Sequence, residues 1–507
     1  MMSPFSPHSL LIFSILIFSP SSYVSFDLDF SPSLTYSQDY GKIIEESPVS
    51  VLRPTSPTDI SLLLKSISTD PAQNNVTVAA RGAAHSTYGQ AQAPGGIVID
   101  MTSLPNFIKV ENGYVDAGGG ALWVDVLKET LSYGLTPRTW TDYLYLTVGG
   151  TLSNAGVSGQ AYRYGPQISN VLELDVVTGK GEQVTCSELV NSDLFYGVLG
   201  GLGQFGIITR ARIILQHAPE MVKRVEIIYG DFDQFIKDQE FLISKGKVDY
   251  LEGFVNLQAS TSTTTTELPN PYYTIELALY YNDTNLVQNT LDQLVLQLGS
   301  VRLSTTEFDV SFFEFLNRVK ATVDELTQRG LWDIPHPWFN LFVPKAQIVR
   351  FKDLVIQSIS STYIGGPIII YPILRHKWNL NMSVMLPEVY PKEDIVYIVS
   401  VLQWTTCERG SQCLETLLSQ NKKVISIATS EPNTRPISIN NPTRSDLSND
   451  GGGMGAKQYL PYWTSEEEWG AHFGGKWDRF KDLKSRFDPL NVLAPGQRIF
   501  KRKPIAT

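Results

Sequence analysis

Residues 200–215, GGLGQFGIITRARIIL, carry the spacing G-x-G-x-x-G at Gly201, Gly203 and Gly206. In a Rossmann unit this spacing follows a strand and opens a helix, so that a pyrophosphate rests on the helix N-terminus. Here Ile207, Ile208 and Thr209 follow, and then Ile213 and Ile214, a β-branched run that favours a strand. With no helix after the glycines there is no helix dipole to hold phosphate, and they read as tight turns between elements. The Rossmann reading is set aside, and a dinucleotide would have to be held by other loops.

Such a loop lies upstream. TVGGTLSNAGVSGQAYRYGPQ, residues 147–167, offers unsubstituted backbone whose N–H groups can reach phosphate oxygens, with Thr147 and Ser153 as further donors. Around it, SVLRP, VTVAARG, GGIVIDM and VLELDVVTG read as strands bounded by Gly and Pro, and Ser56, Pro57 and Asp59 mark a helix start. The first 217 residues therefore form one mixed α and β unit. From about residue 218 the texture changes: VKRVEIIYGDFDQFIKDQEFLI and YYTIELALYY alternate strand and helix, with frequent aromatics. STSTTTTELPNP (260–271) reads as a polar loop, and residues 430–456, rich in Pro, Asn, Ser and Gly, as a flexible insertion. The C-terminal SEEEWGAHFGGKWDRFKDLKSRF reads as one amphipathic helix, followed by a turn at Asp488-Pro489.

The chain has 507 residues, 42% hydrophobic and 18% charged, which is a globular composition of roughly two to four domains. A net charge of -10 argues against a nucleic-acid partner, which needs clustered Lys and Arg. An apolar run from Leu10 to Phe18 followed by Ser, Pro and Ser has the layout of a secretory signal peptide, although no Lys or Arg precedes it; it is too short to span a bilayer. The sequons at Asn75, Asn282 and Asn381 fit the secretory route. The 3 cysteines match no zinc or redox spacing; Cys407 and Cys413 could close a small loop and leave Cys186 free, or all three could be unpaired.

RGAAHS (81–86), WTDYLYLTVGGTLSNAGVSGQAYRYGPQISNVLELDVVTGKG (140–181), GGLGQFGIITRARI (200–213), GLWDIPHPWFNLFVP (330–344), KQYLP (457–461) and LAPGQRIF (493–500) occur in order. Together they resemble the plant cytokinin dehydrogenases, FAD-linked oxidoreductases of the vanillyl-alcohol-oxidase type. The resemblance implies an α+β fold in which both chain ends build the FAD domain and a large antiparallel sheet flanked by helices forms the substrate domain. The implied boundaries are 1–25 (signal peptide), 26–217 and 459–507 (FAD domain) and 218–458 (substrate domain).

In the family, the histidine matching His85 is bonded to the 8α carbon of FAD, as a neutral imidazole nitrogen can be. The aspartate of WTDYL, Asp142, accepts the substrate amine proton during hydride transfer, and the imine formed hydrolyses to adenine and an unsaturated aldehyde. A strand glutamate contacts the adenine ring, which by similarity is Glu276. Flavin-contacting positions match Gly82, Ala83, Ala84, Ser86, Gln90, Asp142, Thr147, Ser153, Val157, Ile207, Tyr459 and Gln497; Trp378 and Asn379 could line the substrate pocket, or Trp378 could equally be structural. The resemblance also implies a cytokinin substrate, oxygen or a quinone as electron acceptor, no metal, no nucleic acid or membrane partner, a monomer, and delivery to the cell exterior or the vacuole.

Two departures stand out. Ala84 replaces the family's glycine, and if that position needs φ > 0 its Cβ costs about 1–2 kcal/mol, slowing flavin attachment. Residues 430–456 exceed the family's connection, as a tolerated surface loop or an error in the gene model. The rival readings are a related FAD-linked alcohol or sugar oxidase and a cytokinin-binding protein without turnover. LSNAGVSG (152–159) lacks the cysteine with which berberine-bridge relatives attach flavin a second time.

Overall fold

The computed structural model describes residues 28–257, 268–299, 302–359, 365–388, 393–431 and 452–505. The expected signal peptide, residues 260–267 of the polar loop and residues 432–451 of the insertion lie outside them.

Three sheets are formed by the described residues. The first holds β1 (Leu28–Asp29), β2 (Ser50–Leu52), β3 (Val78–Arg81) and β4 (Ile97–Asp100) in the order β1-β2-β4-β3, with β2 and β3 parallel to β4. Parallel pairing needs a crossover, and the helix Pro57–Thr69 supplies it; Pro57 opens the helix, and the Asp59 carboxylate accepts from the Thr55 and Ser56 N–H groups. Its apolar face, Ile60, Leu63, Leu64 and Ile67, packs with Leu52, Val78, Ile97 and Ile99.

The second sheet contains β5 (Ile108–Glu111), β6 (Tyr114–Gly118), β7 (Leu135–Pro137), β8 (Val171–Thr178), β9 (Gln183–Ser187) and β10 (Gly206–His217), all antiparallel, in the order β5-β6-β10-β8-β9 with β7 beside β10. The glycines of 201–206 lie between the helix Ser192–Val198 and β10, so the motif turns from helix into strand, the reverse of a Rossmann unit.

The third sheet has eight strands among the described residues: β11 (Met221–Tyr229), β12 (Tyr250–Asn256), β13 (Tyr272–Tyr281), β14 (Arg302–Ser311), β15 (Phe339–Pro344), β16 (Ile368–Leu374), β17 (Ile395–Val401) and β18 (Lys457–Tyr459), in the order β14-β11-β13-β12-β16-β17-β15-β18. Side chains alternate across a strand. Glu252, Phe254 and Asn256 of β12 accordingly face a central cavity, while Gly253 faces the helix Phe232–Lys245, where a Cβ would lie 2.6 Å from Phe235. The helix Ile348–Ile359 covers the same outer face, setting Phe351 and Val355 near Ile368 and Ile370. The class is therefore α+β, with a large antiparallel sheet flanked by helices.

The C-terminal region holds two helices, Glu466–Phe473 and Trp477–Phe487, and not one, because Gly474 takes φ +49°. Beyond them the chain returns to the first sheet. Val78 N–H donates to Val492 O (2.8 Å), Ala494 N–H donates to Val78 O (2.8 Å), and Val492 and Leu493 join the core under β3. Lys484 fixes this return: its ammonium, 3% exposed, reaches Asp488 Oδ2 (2.8 Å) and donates to Gln204 O (3.0 Å) and Gln204 Oε1 (2.8 Å). Cys407 and Cys413 form a disulfide, and Cys186 is a buried free thiol.

Candidate active site

A cavity of about 1330 Å³ opens between the two smaller sheets and the inner face of the large one. Ordinary small-molecule pockets measure about 300–1,000 Å³, so this one has room for more than a single small molecule. Gly82, Ala83, Ala84, His85, Ser86, Gln90, Asp142, Thr147, Ser153, Val157, Ile207, Glu276, Tyr459 and Gln497 all line it. Trp378 and Asn379 do not. Trp378 is buried edge-on against Phe342 at 5.4 Å, and the Asn379 side chain accepts from Asn381 N–H, so their expected place in the substrate pocket is corrected.

The segment after β3 carries His85. Residues 39–41 strap it down: Tyr40 N–H donates to Ala84 O (2.8 Å), Gly41 N–H to Ser86 O (3.1 Å), and Asp39 Oδ2 accepts from Ser86 Oγ (2.9 Å) and Gly89 N–H (2.6 Å). Burial raises Asp39 to about 6 against these hydrogen bonds. Ala84 adopts φ +53°, the left-handed region that its sequence departure put in question. Gly82 must be glycine, since a Cβ there would lie 2.0 Å from Thr147 Oγ1. His85 stacks on Tyr40 at 4.1 Å with Trp332 at 5.8 Å. Desolvation, with a smaller contribution from His336, lowers its pKa to about 3, so the imidazole is neutral and keeps a lone pair at physiological pH.

The opposite wall is ionic. Glu276 (β13) faces Glu252 (β12) directly across the sheet, a like-charge pair that destabilises unless countered. Two arginines counter it. Arg224 Nη2 lies 2.6 Å from Glu276 Oε2, and Arg318 Nε lies 2.9 Å from Glu276 Oε1. Arg318 also approaches Glu252 Oε2 at 3.8 Å and donates to the Tyr250 hydroxyl, which itself lies 3.2 Å from Asp142 Oδ1. Burial holds the Glu252 carboxyl well above the usual carboxylate range; the neighbouring Asp142 adds to this and Arg318 opposes it. Arg224 donates to Glu276 Oε2, while Oε1, ion-paired to Arg318, is buried without a hydrogen-bond partner among the described residues and is open to a ligand N–H.

Glu252, Tyr250 and Arg318 were not singled out in the sequence. YLEGFV (250–255) sets a carboxylate among apolar strand residues just as YYTIELALYY does, and that signal pointed to Glu252. Nothing local marks Arg318.

Groups available to a dinucleotide lie on the remaining walls. The Gln497 amide oxygen is buried without a hydrogen-bond partner among the described residues and lines the cavity with Ala494 and the 147–157 loop. Gln90 accepts from Tyr88 N–H through its amide oxygen, which leaves its amide nitrogen to donate. These features fit FAD.

Two solved structures share the architecture: 6-hydroxy-D-nicotine oxidase from Arthrobacter nicotinovorans (TM-score 0.64, 16% identity, covering 92% of this chain and 96% of that one) and a VAO-type flavoprotein from Myceliophthora thermophila (TM-score 0.61, 14% identity, covering 88% and 78%). The fold is that of the VAO-type flavoproteins. Residues 48–187 match the FAD binding domain model, and residues 219–500 match the model for cytokinin dehydrogenase 1, FAD and cytokinin binding. Among curated proteins, cytokinin dehydrogenase 3 of Oryza sativa subsp. japonica is 44% identical over 97% of this chain and 96% of its own length, and cytokinin dehydrogenase 1 of Arabidopsis thaliana 42% identical over 95% and 84%. The chain belongs to the cytokinin dehydrogenase family of FAD-linked oxidoreductases.

Proposed function

We propose that this protein oxidises the secondary amine of N6-isoprenoid adenines, using FAD bonded to His85. The reading rests on a shared volume: His85 and Asp142 line the same cavity, which supports a tether and a carboxylate serving one space.

Bound FAD supplies a two-electron hydride acceptor. Gly82, Ala83 and Ala84 offer backbone to it, Ser86, Gln90, Thr147, Ser153 and Gln497 polar contacts, and Val157, Ile207 and Tyr459 packing surface. Asp142 accepts the amine N–H proton at a carboxylate oxygen, which frees the nitrogen lone pair to assist C–H cleavage. Glu252, whose burial favours the protonated form, can lend a proton beside it. Glu276 accepts from the adenine ring at Oε1, which has no hydrogen-bond partner among the described residues, and also holds Arg318. Water then cleaves the imine to adenine and an unsaturated aldehyde.

Export to the cell exterior or the vacuole, a monomeric state, and oxygen or a quinone as electron acceptor complete the proposal. Asn75, Asn282 and Asn381 are exposed, as glycosylation requires. Among the described residues no helix is long and apolar enough to cross a membrane.

The test compares turnover of isopentenyladenine with that of sugars and benzylic alcohols, then asks whether yellow colour stays with acid-precipitated polypeptide. Turnover of the cytokinin alone, with colour retained by wild type and lost by His85→Ala, is expected. Faster alcohol or sugar oxidation would replace the substrate, and colour released from wild type would remove the covalent bond.

A further inference from the structure

Tyr250 lies wholly inside the protein, yet its hydroxyl meets the site in two directions. Arg318 donates to the oxygen, which leaves the phenolic hydrogen for a carboxylate, with Asp142 Oδ1 3.2 Å away and Glu252 as the other neighbour. The ring has no freedom to turn. Phe315 meets it edge-on at 5.0 Å, the Arg318 guanidinium carbon lies 4.9 Å from its centroid, and a Cβ on Gly159 would come within 2.7 Å of it. Leu251 N–H donates to Gly159 O (3.1 Å), tying β12 to the glycine-rich loop. Arg318 is fixed in turn by Glu276, which Arg224 holds from its other side.

We propose that Tyr250 and Arg318 are positioning residues for the proton acceptor: Arg318 polarises the Tyr250 hydroxyl, and the hydroxyl aims Asp142 at the substrate amine. The proposal rests on Asp142 being that acceptor. A donor already polarised by a cation gives a stronger hydrogen bond to a carboxylate and so holds it more firmly in one orientation. The titratable and charged groups around Asp142 are Tyr143 beside it, Tyr250 and Glu252 of β12, Glu276 of β13, Arg224 of β11, Tyr371 of β16, Tyr459 of β18 and Arg318. Arg224 holds Glu226 and Glu276, whereas Arg318 also donates to the Tyr250 hydroxyl, so Arg318 is the cation that acts on Asp142, through Tyr250.

The test uses the flavin-loaded enzyme and its Tyr250→Phe, Arg318→Lys and Asp142→Asn variants, with isopentenyladenine as substrate. Flavin content and melting temperature are measured beside kcat and KM. Loss of a hydrogen bond to a charged group corresponds to about a ten- to hundredfold effect. Tyr250→Phe is expected to lower kcat by that factor and to change KM by no more than about threefold, with flavin content unchanged. Arg318→Lys, which keeps the charge, should lower kcat by less than Tyr250→Phe, again with little change in KM. If Tyr250→Phe does not load flavin, Arg318→Lys decides. A flavin-loaded Tyr250→Phe enzyme with wild-type kcat overturns the proposal, as does a flavin-loaded Arg318→Lys enzyme with wild-type kcat. Full activity in Asp142→Asn instead overturns the acceptor role itself, whatever Tyr250→Phe does.

Discussion

Replacing Ala84 by glycine should make the protein more stable and its flavin attachment faster. Ala84 holds φ +53° one residue before His85, and its carbonyl accepts the Tyr40 N–H that straps the segment down. A Cβ in the left-handed region costs about 1–2 kcal/mol. Glycine removes that strain but returns about 0.4–1 kcal/mol through the greater freedom of the unfolded chain, leaving a gain of about 0.8 kcal/mol. For a domain of this size that corresponds to a rise in melting temperature of about 2 °C. If the relieved strain also opposes the attachment-ready conformation, covalent loading of apoenzyme with FAD accelerates by up to about fourfold. Thermal melting followed by flavin fluorescence reads the first effect, and the growth of acid-stable colour reads the second. Ala84→Val should move both the other way, because a β-branched side chain suits this region less well. An Ala84→Gly protein that melts below wild type and loads flavin more slowly would refute the reasoning.

Lys484→Met removes the cation facing Asp488 in a fully enclosed pair, where Asp488 also accepts from Val492 and Leu493 N–H; the loss should reach about 3–5 kcal/mol in urea unfolding, and a loss below about 1 kcal/mol would contradict the role given to this pin. His472 is 6% exposed among Trp469 and Phe473, and burial, with Lys457 adding, lowers its folded pKa to about 3. The unfolded chain takes up a proton near pH 6.5 and the folded one only near pH 3. Stability from this residue is therefore full above pH 6.5 and falls with decreasing pH, at up to about 1.4 kcal/mol per unit. His472→Phe should flatten the drop in melting temperature between pH 7 and pH 5, and an unchanged slope would contradict the assignment.

Local pattern carried much of the fold. YYTIELALYY is β13 to the residue, because alternation and β-branched or aromatic content agree there. The β-branched residues after Gly206 distinguished a strand from a Rossmann helix correctly. The C-terminal helix was expected whole because its amphipathic pattern continues through Gly474-Gly475, whereas the backbone breaks at φ +49°. Trp378 leaves pocket and core both open, because tryptophan beside polar groups suits a ligand as well as a core, and packing against Phe342 decides for the core. Around the cavity, residues in continuous glycine-rich or aromatic motifs were legible. The ionic wall was not, because Asp142, Tyr250, Glu276 and Arg318 come from four separate segments and meet only when the large sheet closes over the 141–157 loop. Arg318 opens an ordinary-looking helix, Arg318–Gln328, and nothing within its own segment distinguishes it from a solvated surface arginine.

Central to the account is proton acceptance by Asp142 in front of a flavin tethered at His85. Anaerobic mixing of isopentenyladenine with the flavin-loaded enzyme, followed by bleaching of the flavin absorbance, measures that step without interference from any electron acceptor. Wild type should bleach rapidly, and flavin-loaded Asp142→Asn at least about a hundredfold more slowly. Equal bleaching rates in the two proteins would contradict it.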